Sequence, residues 1–360
     1  MNLLFFIGAL GRGGMERQMC VLMDELAKRG HQIRLITFLP LDDAYKYDHR
    51  IERLRFDGGS KLSVMCRLFR YFHSQEGQSD CIIAFGRLSC EVGILTNLFH
   101  RFRFIAGERN MSVNFSRRDK FILWLFRFAD GIVTNSNAQK ELLGRLYPQY
   151  LGKLQCVINF TDTTLFAPVR KSSEGQQIIG VFARLHPQKN TIKLAEVLQM
   201  LLANGHNEVV VRWYGATSSD IEVEYKKEVQ SYIEKSGLTS HFYLLPPVDN
   251  VPEAINECDA ICLPSLFEGF SNSISEAISC GKILLASDVS DNHIMVEDGV
   301  NGFLFNPRET KTMIDAFEKY LSLSEESKQV MGRKSREKAL RLFSISRFGD
   351  EYERIINEIC

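Results

Sequence analysis

The sequence predicts an α/β protein made of two doubly wound, Rossmann-like parallel sheets facing across a cleft. Three observations predict it. Short apolar runs such as Leu3–Ile7 and Ile178–Phe182 alternate along the chain with longer amphipathic stretches, the pattern of parallel strands buried on both faces and joined by helical crossovers. The alternation breaks between Asn159 and Gln177, where Thr, Asp, Pro, Ser and Gly replace the periodic residues, as in a linker. The 360 residues are enough for two cores. The expected halves are residues 1–165 and 166–343. A ligand in such an arrangement belongs at the carboxyl edges of the two sheets, in the cleft between them.

In order, Leu3–Ile7 reads as the first strand. A loop with Gly8, Gly11, Gly13 and Gly14 follows it, then a helix from Met15 to Arg29 and a second strand at Ile33–Phe38. This is a βαβ opening. The glycine spacing is not G-x-G-x-x-G, and no acid ends the second strand, so a nicotinamide site has little support. Strands are expected at Ile51–Phe56, Cys81–Phe85, Phe102–Ala106, Gly131–Thr134 and Leu154–Ile158. Helices are expected over Lys61–His73, Ser89–His100, Arg117–Phe128 and Ala138–Leu146. The second half should hold strands at Ile178–Phe182, Val209–Tyr214, Phe242–Leu245, Ala260–Leu263, Ile283–Ala286 and Gly302–Phe305, and should end in helices at Glu309–Leu321, Glu325–Leu342 and Ser346–Ile356.

Composition excludes several classes. Lys+Arg and Asp+Glu number 44 each, so no global charge calls for nucleic acid. Nine scattered cysteines with no C-x₂-C pair read as reduced thiols of a cytoplasmic protein, not as zinc ligands or disulfides. A spanning helix needs roughly 18 consecutive apolar residues, and the sequence has no such run.

The chemistry concentrates in Leu263–Gly281. There a strand runs into a loop and a helix, bracketed by Glu268 and Glu276. A helix start at a strand end favours anionic ligands, so two carboxylates there need another target, such as sugar hydroxyls. An alternative stands beside this: Ser273-x-x-Glu276 fits a capping box, and Glu268 reads equally as a solvated loop acid. Arg184 and Lys189 leave the end of Ile178–Phe182, where a planar fork and a point charge suit a diphosphate. His186 between them reads as a structural loop histidine. Gly215 ends the next strand and would flank a nucleotide base.

These residues carry a resemblance. Gly13-Gly14-Met15-Glu16-Arg17, Ala129–Ser136, Ala183-Arg184-Leu185 with Gln188-Lys189-Asn190, Pro264–Phe270 with Glu276-Ala277, and Asp298-Gly299 with Asn301–Leu304 stand in the order and places seen in retaining glycosyltransferases of the GT-B fold, sequence family 4. Glu268 and Glu276 match that family's E-x₇-E signature. The resemblance implies a nucleotide-sugar donor, UDP-linked, on the second half. Arg184 and Lys189 would hold its diphosphate, Glu268 its sugar and Glu276 its ribose, with Gly269, Phe270, Ser271, Asn272, Gly215 and Gly14 lining the donor. It implies same-face substitution with no metal and no cofactor, and no covalent nucleophile at Glu268. It also implies that the last helix, residues 344–360, packs back on the first half. Two positions depart from the family pattern: Ala183 stands for a glycine, and Gly107-Glu108-Arg109-Asn110 stands where many members carry a histidine near the acceptor. That version resembles members that build bacterial surface polysaccharides, lipopolysaccharide among them, and lipid-linked oligosaccharides from hexose or N-acetylhexosamine donors. Gly13, Glu108, Arg109 and Asn110 are therefore the expected acceptor-side residues; a Glu108–Arg109 structural ion pair is the alternative. A nucleotide-sugar epimerase and a non-catalytic sugar-nucleotide binder remain open beside the transferase.

The acceptor implied is a glycan or a polyprenyl-diphosphate-linked sugar. Basic and aromatic residues interleave in the first half, so peripheral contact with an anionic membrane, from its cytoplasmic face, is expected. Lys61–Arg70 is the more one-sided stretch and the preferred membrane face. Arg117–Phe128, apolar nearly all round after its charged start, reads as a helix packed on the sheet.

Overall fold

The computed structural model describes residues 1–11, 13–74, 79–98, 102–109, 115–169, 175–217 and 219–360. The chain divides into two compact units, Met1–Phe160 with Ile345–Cys360, and Thr161–Ser344.

In the first unit the strands are β1 (Asn2–Ile7), β2 (Gln32–Thr37), β3 (Glu52–Arg55), β4 (Cys81–Phe85), β5 (Arg103–Glu108), β6 (Gly131–Thr134) and β7 (Leu154–Cys156). The helices are α1 (Gly14–Lys28), α2 (Lys61–His73), α3 (Arg87–Asn97), α4 (Arg117–Leu125) and α5 (Asn137–Leu146). Every strand pair is parallel, in the order β3-β2-β1-β4-β5-β6-β7. Leu3 faces Ile33 on one side and Cys81 on the other. The winding reverses between β1 and β4, the crevice where such sheets bind ligands. Side chains alternate along a strand, and β1 shows it: Leu4 and Phe6 join one core, Leu3, Phe5 and Ile7 the opposite one.

The second unit has strands β8 (Gln177–Phe182), β9 (Val209–Tyr214), β10 (Phe242–Leu245), β11 (Ala260–Leu263), β12 (Ile283–Ser287) and β13 (Gly302–Phe305). Its helices are α6 (Thr191–Ala203), α7 (Asp220–Lys235), α8 (Val251–Asn256), α9 (Asn272–Ser279), α10 (Asn292–Met295), α11 (Thr310–Leu321) and α12 (Glu325–Leu342). The sheet order is β10-β9-β8-β11-β12-β13, all parallel, with its reversal between β8 and β11. A core around Trp213, Phe317 and Tyr320 covers one face of it, and Ile261, Leu263, Ile274 and Ile278 are buried besides.

The passage from one unit to the other falls at Phe160 and Thr161, earlier than the 165/166 boundary read from composition. The irregular segment after it is tied to the second unit. Arg336 donates to the carbonyls of Thr163 and Phe166 at 2.9 and 2.8 Å. Asn256 donates to Ala167 and accepts from the Val169 N–H. The last helix, α13 (Ile345–Ile359), belongs to the first unit. Its Phe348, Tyr352, Ile355 and Ile356 share a core with Met19, Leu22, Met23 and Leu26 of α1. Among the described residues, no helix is long and apolar enough to cross a membrane.

Candidate functional site

In the second unit, the loops after β8 and β11 leave neighbouring strands at the winding reversal. The β8 loop makes one 3₁₀ turn, Pro187–Lys189, which begins when His186 Nδ1 accepts the Gln188 N–H at 3.2 Å. His186 thus has the structural place expected of it. Asn190 ends the turn with φ 59°, ψ 37°, a left-handed conformation that asparagine tolerates. Its amide donates to the carbonyls of Pro264 and Pro307 at 3.2 and 2.9 Å. The Leu266 N–H donates to the Gln188 carbonyl at 2.9 Å, and the Gln188 side chain donates to the Phe267 carbonyl at 2.6 Å. The two loops are therefore stitched through backbone groups, which fixes where their side chains emerge.

That stitching brings together Lys189 and Glu268, whose ammonium and carboxylate form an ion pair. Both side chains are largely buried, 17% and 10% exposed, where a charge needs its partner. The Glu268 backbone is held too: Ser290, at φ 51°, donates its hydroxyl to the Glu268 carbonyl and accepts the Glu268 N–H. Arg184 takes a different partner. Its Nη1 lies 2.9 Å from Glu222 Oε1 in the first turn of α7; Glu222 is 1% exposed and Arg184 62%. A buried carboxylate so anchors one side of an exposed guanidinium.

Helix α9 corrects the capping-box reading. Its N-cap is Ser271, which accepts the Ile274 N–H at 3.3 Å. Ser273 lies inside the helix and donates to the Phe182 carbonyl at the end of β8, 2.6 Å away. Glu276 therefore sits beyond the first turn, buried, and is no N-terminal cap. The backbone of Gly269–Asn272 leads into the helix start. The Phe270 side chain turns away and packs edge-on against Phe343, 6.0 Å between ring centres, so only its backbone is on offer. Gly215 has a packing reason: a Cβ there would collide with the Ala183 carbonyl oxygen.

In the first unit, Gly13 precedes α1. A Cβ on it would collide with the carboxylate of Glu16, whose carboxyl is pushed above its ordinary range by burial. Gly14 is the first residue of the helix. Glu108 and Arg109 are both buried and do not pair with each other, contrary to the ion pair considered from sequence. Glu108 Oε2 accepts from Arg87 Nε at 2.8 Å, and Arg87 Nη1 reaches Asp119 at 2.8 Å. The Arg109 guanidinium lies 4.0 Å from the Phe85 ring centre, donates to Asn159 at 3.1 Å and also donates to the Tyr352 hydroxyl. Asn110 lies outside the described residues. Asp43, next to Asp42 in the segment after β2, bonds Arg53 and Arg55. Sequence reasoning misses Arg87, Glu222 and Ser290, because each acts through a tertiary partner and has no local signature. Among the described residues, no three His, Cys, Asp or Glu side chains are grouped to hold a metal, and all nine cysteines are free thiols.

The curated relatives match only in part, and the chain spans about half their length. A galactosyltransferase of Escherichia coli, named for UDP-Gal and α-D-GlcNAc-diphosphoundecaprenol, is 26% identical over 211 residues, 54% of this chain and 52% of that protein. A lipopolysaccharide core mannosyltransferase of Rhizobium meliloti is 23% identical over 171 residues, 44% and 48% of the two chains. The crystal structure of Anabaena HepE with UDP and glucose superposes with TM-score 0.84 over 99% of both chains at 20% identity, which fixes the fold as GT-B. Residues 12–165 match the family described as Glycosyltransferase Family 4. Residues 162–338 match Glycosyl transferases group 1. With these two domains in succession on two parallel-sheet units, the chain belongs to the GT-B glycosyltransferases of family 4.

Proposed function

We propose that this chain is a retaining glycosyltransferase that moves a hexose or N-acetylhexosamine from a UDP-sugar to a hydroxyl of a lipid-linked or free glycan in bacterial surface polysaccharide synthesis, on the cytoplasmic side. The observation that carries the reading is the Lys189–Glu268 pair, held where two loops are stitched at the winding reversal of the second sheet. Each partner is replaceable by a substrate group: the ammonium by a phosphate oxygen, the carboxylate by a sugar hydroxyl. The names of the Escherichia coli and Rhizobium relatives support the class of donor and acceptor, and the UDP and glucose bound to HepE support a nucleotide-sugar.

In this reading the second unit binds the donor. Arg184 and Lys189 neutralise the diphosphate as it departs, which requires no metal. Glu268 positions the sugar, Glu276 accepts from the ribose hydroxyls, and the Gly269–Asn272 amides approach the phosphates. The bond from the anomeric carbon to the phosphate oxygen breaks. The acceptor oxygen bonds to that carbon on the same face, and the acceptor proton passes to the departing phosphate, leaving UDP. Gly13 and Gly14 let the first unit approach the acceptor or donor closely. Glu108 and Arg109 are assigned no contact with substrate, because their partners already engage them.

The test is a panel of UDP-, GDP- and ADP-sugars, read by thermal shift and by transfer to a bacterial lipid extract. UDP is expected to raise the Tm, Glu276→Ala to abolish the rise, and EDTA to leave transfer unchanged. No shift with any nucleotide would sink the proposal. Interconversion of donor sugars without an acceptor, seen by NMR at the anomeric protons, would make the protein an epimerase.

A further inference from the structure

We infer that the outer face of Arg117–Phe128 is a docking surface for an anionic lipid bilayer. The segment is α4 followed by a 3₁₀ turn, Phe126–Phe128. Ile122, Leu123, Leu125 and Phe126 are buried in the core. Phe121, Trp124 and Phe128 instead face outward, 47%, 44% and 47% exposed. They form one continuous row: Phe121 stacks on Trp124 at 6.0 Å, and Trp124 meets Phe128 edge-on at 5.8 Å. Three large aromatics side by side in water are a patch that asks for an apolar partner.

The charges around the row select the partner. Arg127 lies over the rings of Trp124 and Phe128, at 5.4 and 5.6 Å, and Arg117, Arg118 and Lys120 are exposed at the helix start, where Arg118 pairs with Glu91 of α3 at 2.9 Å. The segment carries four cations and one acid, Asp119. Arg87 and the Ser116 cap engage that acid. In a chain with 44 basic and 44 acidic residues, this excess is local. Tryptophan and phenylalanine settle at the depth of lipid headgroups, and arginine and lysine beside them meet anionic phosphates. A protein partner would be met by aromatics ringed by mixed polar groups; here Arg117, Lys120 and Arg127 leave the ring with a cationic excess.

The surface is also preformed. The Tyr150 hydroxyl donates to the carbonyls of Leu123 and Trp124 at 2.8 and 3.2 Å. The Lys153 ammonium donates to those of Phe126, Arg127 and Ala129 at 3.0, 2.9 and 2.6 Å. The end of the segment is thereby capped, and docking requires no ordering of the backbone. The face preferred from sequence, α2, is less suited. Its Leu62 and Phe69 are exposed, but Phe69 lies against His73 at 3.8 Å, and the Arg67 guanidinium is turned inward to the carbonyls of Phe56 and Gly58.

The inference stands apart from the transfer reaction, because binding to a bilayer needs no turnover. The test uses the full chain and vesicles of phosphatidylethanolamine and phosphatidylglycerol at about 3:1, against neutral phosphatidylcholine vesicles. The protein has two tryptophans, and Trp213 is fully buried, so quenching by brominated lipid reports Trp124. Expected are sedimentation with the anionic vesicles, weakening with salt, and quenching of Trp124. The variant with Phe121→Ser, Trp124→Ser and Phe128→Ser should bind about tenfold more weakly or worse. The charge variant with Lys120→Glu and Arg127→Glu should lose the preference for anionic lipid. Wild-type protein that ignores anionic vesicles, or binds them without quenching, overturns the inference. So does self-association in the absence of lipid that the triple serine variant abolishes, which would assign the surface to a second copy of the chain.

Discussion

Two strand ends carry an acid and a base, and the fold uses them in opposite ways. At the end of β5, Glu108 and Arg109 are consecutive. Neighbouring residues of an extended chain point to opposite faces, so the two cannot meet. Each finds another partner instead, the half-buried Arg87 for the first, the buried Tyr352 and Asn159 for the second. Their charge is consumed in holding the first unit together. In the second unit, Lys189 and Glu268 stand 79 positions apart and meet because two loops cross at the reversal of the sheet. A pair made between loops can open when a ligand supplies a better partner to each member. A pair made inside a core cannot. In the proposed reading the cross-loop pair, whose two members can each exchange partners, faces the donor, and the charges engaged inside the core serve the fold.

The largest effects should come from breaking the cross-loop pair. Lys189→Ala removes the point charge proposed to face the departing phosphate, and kcat/KM should fall about 10²–10³-fold, with the fold intact by circular dichroism. Glu268→Gln should cost turnover while the UDP-induced rise in Tm survives. Loss of the nucleotide shift with turnover preserved would move Glu268 from the sugar to the nucleotide. Each single substitution leaves the other charge short of its partner, so Lys189→Ala with Glu268→Gln should cost less stability than the two single losses summed.

At the other strand end the prediction concerns stability rather than catalysis. Arg109→Met deletes two hydrogen bonds and the contact over Phe85, and should cost about 2–3 kcal/mol in urea unfolding. Arg109→Lys should not restore it, since an ammonium cannot stack and fork together. An Arg109→Met protein of full stability but with acceptor KM raised would put Arg109 back among the acceptor contacts.

How far the sequence carries follows the same division. Alternating apolar runs show both sheets, because a strand buried on two faces leaves a continuous apolar signature. Short elements do not show. α8 and α10 are a turn or so long, below what helical periodicity resolves. The start of α9 is misread from the sequence because Ser273-x-x-Glu276 fits the capping-box pattern, whereas the N-cap, Ser271, is followed three residues on by Ile274. Ser271 accepts the Ile274 N–H, and Ser273 turns to the Phe182 carbonyl, a tertiary bond with no local signature. Lys189 and Glu268 are visible through their pattern, but their contact is not. Arg117–Phe128 reads as packed because its apolar residues run nearly all round. Periodicity cannot tell which of its rings the core leaves outside, and three of them are there.

The smallest expected effect tests charge used for structure on the surface of the first unit, where α13 meets the end of α1. Arg29 Nη1 bonds Asp350 at 2.6 Å and Glu353 at 2.8 Å, and His31 Nε2 lies 3.0 Å from Glu353 Oε1. The hydrogen bond from His31, then that from Arg29, hold the Glu353 carboxyl below its ordinary range. A depressed carboxylate contributes stability that is present above its unfolded pKa, about 4.3, and is lost as pH falls through the lower folded value. Glu353→Gln should therefore cost about 1 kcal/mol at neutral pH, discounted for a side chain still 31% exposed. The gap to wild type in urea should close as pH falls below the ordinary glutamate range. A gap that stays constant with pH would mean that the amide variant loses packing or geometry rather than charge. The α13 contact would then owe its stability to the packing of Phe348, Tyr352, Ile355 and Ile356 rather than to the charge on Glu353.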